Sequence, residues 1–440
     1  MQNRLIGPLI TWTAVLLPVL LWLLFTEHTE LSTRHGPTRR SAVLAGQVTG
    51  LVGMAMLAVS FILASRFRLL EDYFGGLDRM YELHHRLGVG ALILIILHPV
   101  SLALRFIPED VSRALLSFFP LHGQLAVNLG VVAFWLLVAL LVITFYTRFP
   151  YHIWKVSHRF LILVLVLGAA HMLMVESTPG RNVAIEANAP LWYYMAVLTV
   201  LGVTAHAYRL IVPPAQARQQ TFIVGEVERP TDRVLNVRLE PGDRALSFAP
   251  GQYVFVTFLS DDIAREAHPF TICSAPDANH LELTVKALGD FTAKLYEKLR
   301  PGTKVRVEGP YGRFDYRKGA HQQIWIAGGV GIVPFVSWMR HLATEEESAF
   351  QIALYYCVND RQEAVHLDEL REIAREMEAV SVHLVPFNEE GLLRARDIPN
   401  INNRDVFLCG PSEMISDLRR QLIRRKVPRR RIHFEAFDFR

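Results

Sequence analysis

The chain has 440 residues, 51% of them hydrophobic, and a formal net charge of +4. That length is too great for one ordinary core and implies two to four domains, and the small net charge gives no reason to expect a nucleic-acid partner. Three cysteines (Cys273, Cys357 and Cys409) with no CxxC pair argue against a disulfide framework, an iron–sulfur cluster or a zinc site.

The hydrophobicity is concentrated in the first half. Six apolar segments, at about 8–25, 42–64, 84–104, 123–146, 153–175 and 191–212, are long enough or nearly so to cross a bilayer. Backbone satisfaction in lipid makes them helices. The first is long for a signal peptide and has no small-residue cleavage site close behind it, so no cleaved leader is expected. With the N-terminus inside, ten Lys/Arg fall in inner segments and six outside (Arg34, Arg39, Arg40, Arg105, Arg113, Arg181). This bias orients the bundle with both termini in the cytoplasm of a cell (inner) membrane.

The third segment begins HHRLGVGALILIILH. Ionisable side chains inside a membrane are costly and carry a functional hypothesis by default. His84 and His98 lie fourteen residues apart, about four turns and roughly 21 Å, so both sit on one helix face. The fifth segment offers His158 and His171 at corresponding depths. Paired across two helices running the same way, His84 meets His158 and His98 meets His171, and each pair supplies the two axial imidazoles of a six-coordinate haem. The alternative is a set of interfacial histidines at helix ends. His85 adjoins His84 and competes with it, but the four-turn phase favours His84. Thirteen residues separate His158 from His171, about 140° out of phase on an ideal helix. The fifth helix is therefore distorted, with Gly168 a candidate position, or its imidazoles reach from opposite flanks. His122, His152 and His206 have no partner at matching depth and read as interfacial or structural.

A polar link, PPAQARQQ at 213–220, follows. Short strand-like runs with turn signals over 221–319 suggest an antiparallel β-barrel, and buried-strand runs alternating with helical patterns over 320–440 suggest a parallel α/β sheet. HPFTICSAP (268–276) follows a strand and can press backbone and hydroxyl groups onto a flat ring. In KALGDFTAKL, Gly289 permits close approach and Thr292 opens a helix whose N-terminus favours phosphate. IWIAGGVGIVPFVS reads as strand, glycine turn and helix, with Gly328, Gly329 and Gly331 turned to a pyrophosphate; the same glycines also serve tight packing. LCGP (408–411) ends a strand at the same sheet edge. The chain ends HFEAFDFR, whose terminal aromatic either covers a flavin ring or, with Phe439, fills the last strand. The basic run RRKVPRRR (424–431) reads first as a solvated helix end and second as a surface for anionic lipid.

Taken together these motifs resemble the ferric reductase and NADPH oxidase superfamily. His84, Gly88 and His98 match its third-helix pattern, and His158 and His171 its fifth-helix pair. HPFT, GDFT and GPYG match its flavin module, GGVGIVP and CGP its nucleotide module, and Glu435–Ala436–Phe437 its ending. The resemblance implies a haem-bearing six-helix transmembrane domain (1–212), a linker (213–220), an FAD-binding barrel (221–319) and an NAD(P)H-binding α/β domain (320–440). It implies metal ligation by His84, His98, His158 and His171. Cofactor contacts would come from His268, Pro269, Phe270, Thr271, Ser274, Lys286, Gly289, Asp290, Phe291 and Thr292 for FAD. Gly328, Gly329, Gly331, Pro334, Cys409, Gly410, Pro411, Glu435 and Phe437 would serve the nucleotide and the flavin edge. Thr271, Cys409 and Phe437 would act closest to hydride transfer.

The implied activity is electron transfer from cytoplasmic NADH or NADPH, through FAD and two b haems, to an acceptor outside, either a ferric chelate or dioxygen. Rival readings are a haem-free, membrane-anchored flavin reductase acting on quinone, and a donor to a dedicated periplasmic protein. Two departures stand out. Val164 and Leu165 occupy the stretch where some oxidases carry an aromatic between the haems. After the second nucleotide strand, YCVNDRQE has Asn359 where NADPH-specific members carry Arg, with Arg361 two residues later, so the sequence leaves NADH and NADPH both open.

Overall fold

The computed structural model describes residues 6–25, 37–65, 67–107, 109–145, 151–175, 189–211, 219–242, 244–345 and 349–436. It divides into two units, Met1–Pro213 and Pro214–Arg440.

The described part of the N-terminal unit is helical: α1 (Ile6–Phe25), α2 (Pro37–Leu63), α3 (Arg68–Phe74), α4 (Leu77–Leu104), α5 (Val111–Leu116), α6 (Leu125–Phe145), α7 (Tyr151–Arg159), α8 (Leu161–Met174) and α9 (Ala189–Ile211). Among the described residues, five stretches are long and apolar enough to cross a membrane: Ile6–Phe25, Arg40–Leu63, Arg79–Leu104, Leu125–Thr144 and Lys155–Met174. The sixth expected span forms α9, a helix of 23 residues. Its apolar centre is diluted by Trp192, Tyr193 and Tyr194 at one end and His206 and Arg209 at the other, and it falls outside that set.

Two local features set the site. Helix α2 carries Gly46, Gly50 and Gly53 toward α4. A Cβ at Gly46 would lie 2.6 Å from Leu102, one at Gly50 2.6 Å from the His98 ring, and one at Gly53 2.9 Å from Ile95. Small residues at this spacing let two membrane helices approach closely. The fifth span is broken between α7 and α8 at Phe160, not at Gly168. There the Phe160 N–H bonds the Ser157 carbonyl (3.0 Å) and the Leu163 N–H bonds the Phe160 carbonyl (2.9 Å). These i→i+3 bonds mark a tighter turn, which advances 120° per residue instead of 100°. The advance runs in the direction that brings His158 and His171 toward one face. Gly168 instead makes room for Met54, whose sulfur would lie 2.8 Å from a Cβ there.

In the C-terminal unit, β1 (Gln219–Thr231), β2 (Val234–Pro241), β3 (Tyr253–Leu259), β4 (His268–Thr271), β5 (Leu281–Lys286), α10 (Asp290–Lys298) and β6 (Lys304–Tyr311) come first. The strands form one antiparallel sheet in the order β4-β3-β6-β1-β2-β5. A bridge between Ile272 and Leu283 links the residue after β4 to β5, the two edges of that sheet. Phe222, Leu235, Val254, Phe258 and Val305 are wholly buried within it.

Next come β7 (Gln322–Gly328), α11 (Val333–Leu342), β8 (Gln351–Val358), α12 (Leu367–Glu376), β9 (Val380–Pro386), α13 (Phe387–Glu390), β10 (Asp405–Gly410), α14 (Ser412–Arg424) and β11 (Ile432–Ala436). The second sheet is parallel throughout, in the order β11-β10-β7-β8-β9. Burial on both faces explains why its strands read as continuous apolar runs. Trp325, Phe335, Trp338, Tyr356 and Phe407 fill the core on one face. The strand order reverses between β7 and β10, the place where open α/β sheets bind nucleotides.

Candidate functional site

The four sequence-marked histidines meet in two pairs. The ring centroids of His84 and His158 lie 6.2 Å apart, and those of His98 and His171 lie 6.0 Å apart; both pairs are inclined at 71°. A metal–imidazole bond is about 2 Å long. The ring centre lies roughly 1 Å behind its nitrogen, so two imidazoles trans to each other on one metal have centroids about 6 Å apart. The residues therefore fit a bis-histidine haem at each level. Three Nδ1 atoms are held by backbone carbonyls: His84 by Ser60 (2.9 Å), His98 by Gly46 (2.7 Å) and His171 by Ala126 (2.7 Å). The Ser60 hydroxyl also lies 2.8 Å from His84 Nδ1. A carbonyl only accepts, so each of these Nδ1 atoms carries the proton, and Nε2 keeps the lone pair a metal needs.

His85 points to solvent or lipid, so His84 is the residue that faces His158. A Cβ at Gly88, one turn beyond His84, would meet nothing within 4 Å, and one at Gly130 would sit 2.7 Å from the His171 ring. His206 packs edge-on against Phe61 (5.3 Å), the His122 N–H bonds Asn128, and the His152 side chain lies outside the described residues. Ser60, Gly46, Gly50, Ala126 and Gly130 were not singled out by the sequence; the Gly46-x-x-x-Gly50 spacing was the available signal.

In the antiparallel sheet, β4 lies along β3 with Phe270 opposite Val254 and Thr271 opposite Tyr253. The Thr271 hydroxyl is buried and has no hydrogen-bond partner among the described residues. A buried hydroxyl left this way has its hydrogen bond open to a water or a bound group, and the ring-facing role expected of Thr271 is compatible with that. The His268 ring stacks on Phe291 at 3.6 Å and 21°, which joins HPFT to GDFT. The helix after Gly289 opens at Asp290, two residues before Thr292. The Thr292 hydroxyl accepts the N–H groups of Leu288 (3.0 Å) and Gly289 (3.1 Å), so its work is local capping. Two other expected contacts have protein partners. Lys286 pairs with Glu363 at 3.1 Å. The buried Ser274 accepts the Glu282 N–H through its hydroxyl (3.2 Å) and the Ser337 hydroxyl through its carbonyl (2.9 Å).

At the reversal point of the parallel sheet, the glycine turn follows β7 as expected, with one tight turn (Gly329–Ile332) before α11. Gly329 has φ +53°, a conformation that favours glycine. A Cβ at Gly331 would strike the Cys409 carbonyl, and one at Gly328 would sit 2.8 Å from Met414 and Pro411. Those two glycines thus serve the close approach of β7 to the end of β10. Pro334 lies buried in the first turn of α11, and Gly410 (φ +154°) and Pro411 lead into α14. Cys409 is wholly buried in the core, and burial together with the Glu435 carboxylate holds its thiol well above the usual range. Burial pushes Cys357 up to about 12. Glu435 is buried and lies opposite Cys409 on β11, while Phe437 and Phe439 fall outside the described residues.

One cluster had no sequence signal. Arg340 on α11 bonds Glu282 on β5 and Glu369 on α12, both at 2.5 Å, and the Cys273 carbonyl at 3.2 Å. His366, at φ +62°, contacts the Thr284 hydroxyl (2.9 Å), the Cys273 sulfur (3.9 Å) and Glu369 (3.3 Å). Burial alone would lower the His366 pKa, but its bonds to Cys273 and Glu369 outweigh burial and raise it to about 10. Burial would raise Glu369, yet His366 and Arg340 bring it down to about 2. These groups join the antiparallel sheet to the helices of the parallel one.

Known families cover three stretches of the chain. Residues 49–169 match the ferric reductase like transmembrane component, 221–315 an FAD-binding domain, and 325–420 an oxidoreductase NAD-binding domain. The propane 2-monooxygenase reductase component of Rhodococcus jostii (strain RHA1) is 26% identical over 233 residues, 49% of this chain and 62% of that protein. A superoxide-generating NADPH oxidase heavy chain of Dictyostelium discoideum is 25% identical over 219 residues, 44% of this chain and 28% of that protein. Both alignments thus span less than two thirds of the relative. Among solved structures, a flavohemoglobin from Malassezia yamatoensis shares the fold at a TM-score of 0.51 and 18% identity, covering 91% of this chain and 99% of that one. With a ferric reductase transmembrane region, an FAD domain and an NAD domain in this order on one chain, the protein fits the ferric reductase and NADPH oxidase superfamily.

Proposed function

We propose that the protein is a transmembrane oxidoreductase that takes electrons from NAD(P)H at its C-terminal unit and delivers them to an acceptor across the membrane, with two b haems held by its N-terminal unit. The observation that carries this reading is the pair of histidine couples at two depths, with ring separations of 6.2 and 6.0 Å. When bound, FAD converts a two-electron donor into single-electron transfers and bis-histidine haems pass single electrons. The chain's own residues hold and orient. His84 with His158, and His98 with His171, would each hold one haem. Backbone carbonyls on Nδ1 would keep the imidazoles in the ligating tautomer. Thr271 would bond the flavin ring. The turn Gly328–Gly329–Val330–Gly331 would bring backbone amides to the pyrophosphate, with the helix dipole assisting. Cys409, being buried and protonated, would shape the nicotinamide site by packing, and Phe437 would cover the flavin face.

In this reading α9 is a sixth crossing and the antiparallel sheet closes into a barrel, which the Ile272–Leu283 bridge between its edges supports. The chain then divides into a membrane domain (1–212), a linker (213–220), a flavin domain (221–319) and a nucleotide domain (320–440). Lys/Arg bias puts both termini in the cytoplasm, with the His98/His171 pair toward the outside. Ferric chelate or dioxygen is the acceptor. The test uses sealed right-side-out vesicles carrying the protein and an impermeant ferric chelate outside. NAD(P)H loaded inside should drive its reduction, and NAD(P)H added only outside should not. The reverse result would overturn the topology. Reduction of quinone alone, by protein lacking haem absorption, would overturn the haem reading.

A further inference from the structure

The nucleotide half of this proposal leaves the choice between NADH and NADPH open, and the geometry at the ends of β8 and β9 decides it. In an α/β sheet of this order, the ribose nearest the adenine lies against the turn after the second strand. An acid there bonds the 2′-hydroxyl of NAD, or an Arg accommodates the 2′-phosphate of NADP. The second strand is β8, and its turn reads Asn359–Asp360–Arg361–Gln362–Glu363. The short helix α13, with Glu389 and Glu390, is tied to that turn by a bond from the Asn388 N–H to the Asn359 carbonyl (3.1 Å).

Arg361 is the sole cation of these two segments, 359–363 and 387–390, and it is engaged. Its Nε lies 2.7 and 2.9 Å from the two Glu389 oxygens, and its Nη2 lies 2.8 Å from one of them. A guanidinium fork filled by one carboxylate cannot at the same time present that fork to a phosphate. Glu363 is matched by Lys286. Asp360, whose carboxylate accepts the Gln362 N–H at 3.1 Å, and Glu390 leave the patch acidic. A 2′-phosphate brings about two negative charges at neutral pH, whereas a 2′-hydroxyl brings a donor that a carboxylate can accept.

We infer that the protein uses NADH in preference to NADPH, and that Glu389 is the positioning residue that sets this choice by occupying Arg361. The inference rests on the proposed NAD(P)H oxidation. The pair is about half exposed, 54% for Arg361 and 48% for Glu389. Each single step in preference is therefore modest, roughly twofold to fivefold, the scale of one surface charge interaction.

The test measures binding of ADP and of 2′,5′-ADP to the detergent-solubilised full chain, and kcat and KM for NADH and NADPH. In the wild type, 2′,5′-ADP should bind about tenfold more weakly than ADP, and NADH should have the higher kcat/KM. Glu389→Gln should narrow both gaps by roughly twofold to fivefold. The gain should appear in KM for NADPH and not in kcat. Adding Arg361→Ala to that variant should remove the gain, which a merely structural effect of residue 389 would not do. Equal binding of the two nucleotides by the wild type, or an unmoved ratio in Glu389→Gln, would overturn the inference and leave NAD(P)H oxidation standing. A chain that binds neither nucleotide would overturn the proposed function itself.

Discussion

The two units build their sites from different materials. In the N-terminal unit the proposed chemistry rests on four side chains, and backbone carbonyls hold three of them. In the C-terminal unit the candidate contacts are largely backbone: a turn with a positive φ, glycines packed against a strand end, and one buried hydroxyl. The difference follows from the solvent. A bilayer penalises every polar side chain, so those that stay have a partner or a function and stand out against Leu, Ile and Val. In the C-terminal unit polar residues are common, and the informative feature is where a side chain is missing.

The hardest test of this contrast removes side chains from the first unit. Replacing His84, His98, His158 and His171 together by Ala should abolish haem absorption. His98→Ala alone should lose one of two b haems per chain and leave flavin reduction by NADH intact. Full haem content in the quadruple variant would sink the ligand assignment. A smaller effect is expected from adding atoms beside a histidine. Gly50→Ala would place a methyl 2.6 Å from the His98 ring. Overpacking of this kind costs about 1–3 kcal/mol, so haem occupancy of that level should fall several-fold, read by spectroscopic titration. Undiminished occupancy would show that the α2–α4 approach does not hold the ring.

The smallest effect belongs to the ionic cluster of the second unit. His366 has a raised pKa, so its contribution to stability is full below the ordinary 6.5 and is lost as pH rises through about 10. Glu369 has a depressed pKa, so its contribution is full above the ordinary 4.5 and is lost as pH falls toward about 2. Thermal melts of the full chain should show the transition of the C-terminal unit falling by a few degrees between about pH 6.5 and 10, and His366→Gln should flatten that slope. An identical slope in the variant would place the pH dependence elsewhere.

The sequence by itself determined what depends on local pattern. Apolar run length located five helices long enough to cross a membrane, short strands with turn signals located the antiparallel sheet, alternating strand and helix patterns located the parallel one, and fourteen-residue spacing put His84 and His98 on one face. The glycine turn follows β7 as pattern alone put it, and HPFT follows β3 in the chain as expected but forms an edge strand of its own, β4. The same spacing favoured His84 over the adjacent His85, and the folded chain turns His84 toward His158; only the tertiary structure decided what holds three of the rings, a backbone carbonyl from another helix. It placed the helix break at Phe160, because the tightening needed to align two rings depends on a helix elsewhere in the chain. It also engaged Arg361 with Glu389 and Arg340 with Glu282 and Glu369. Those bonds join residues 28, 58 and 29 positions apart, and no local periodicity encodes a contact over such distances. Pattern reports which surface a residue occupies; only the folded chain reports what meets it there.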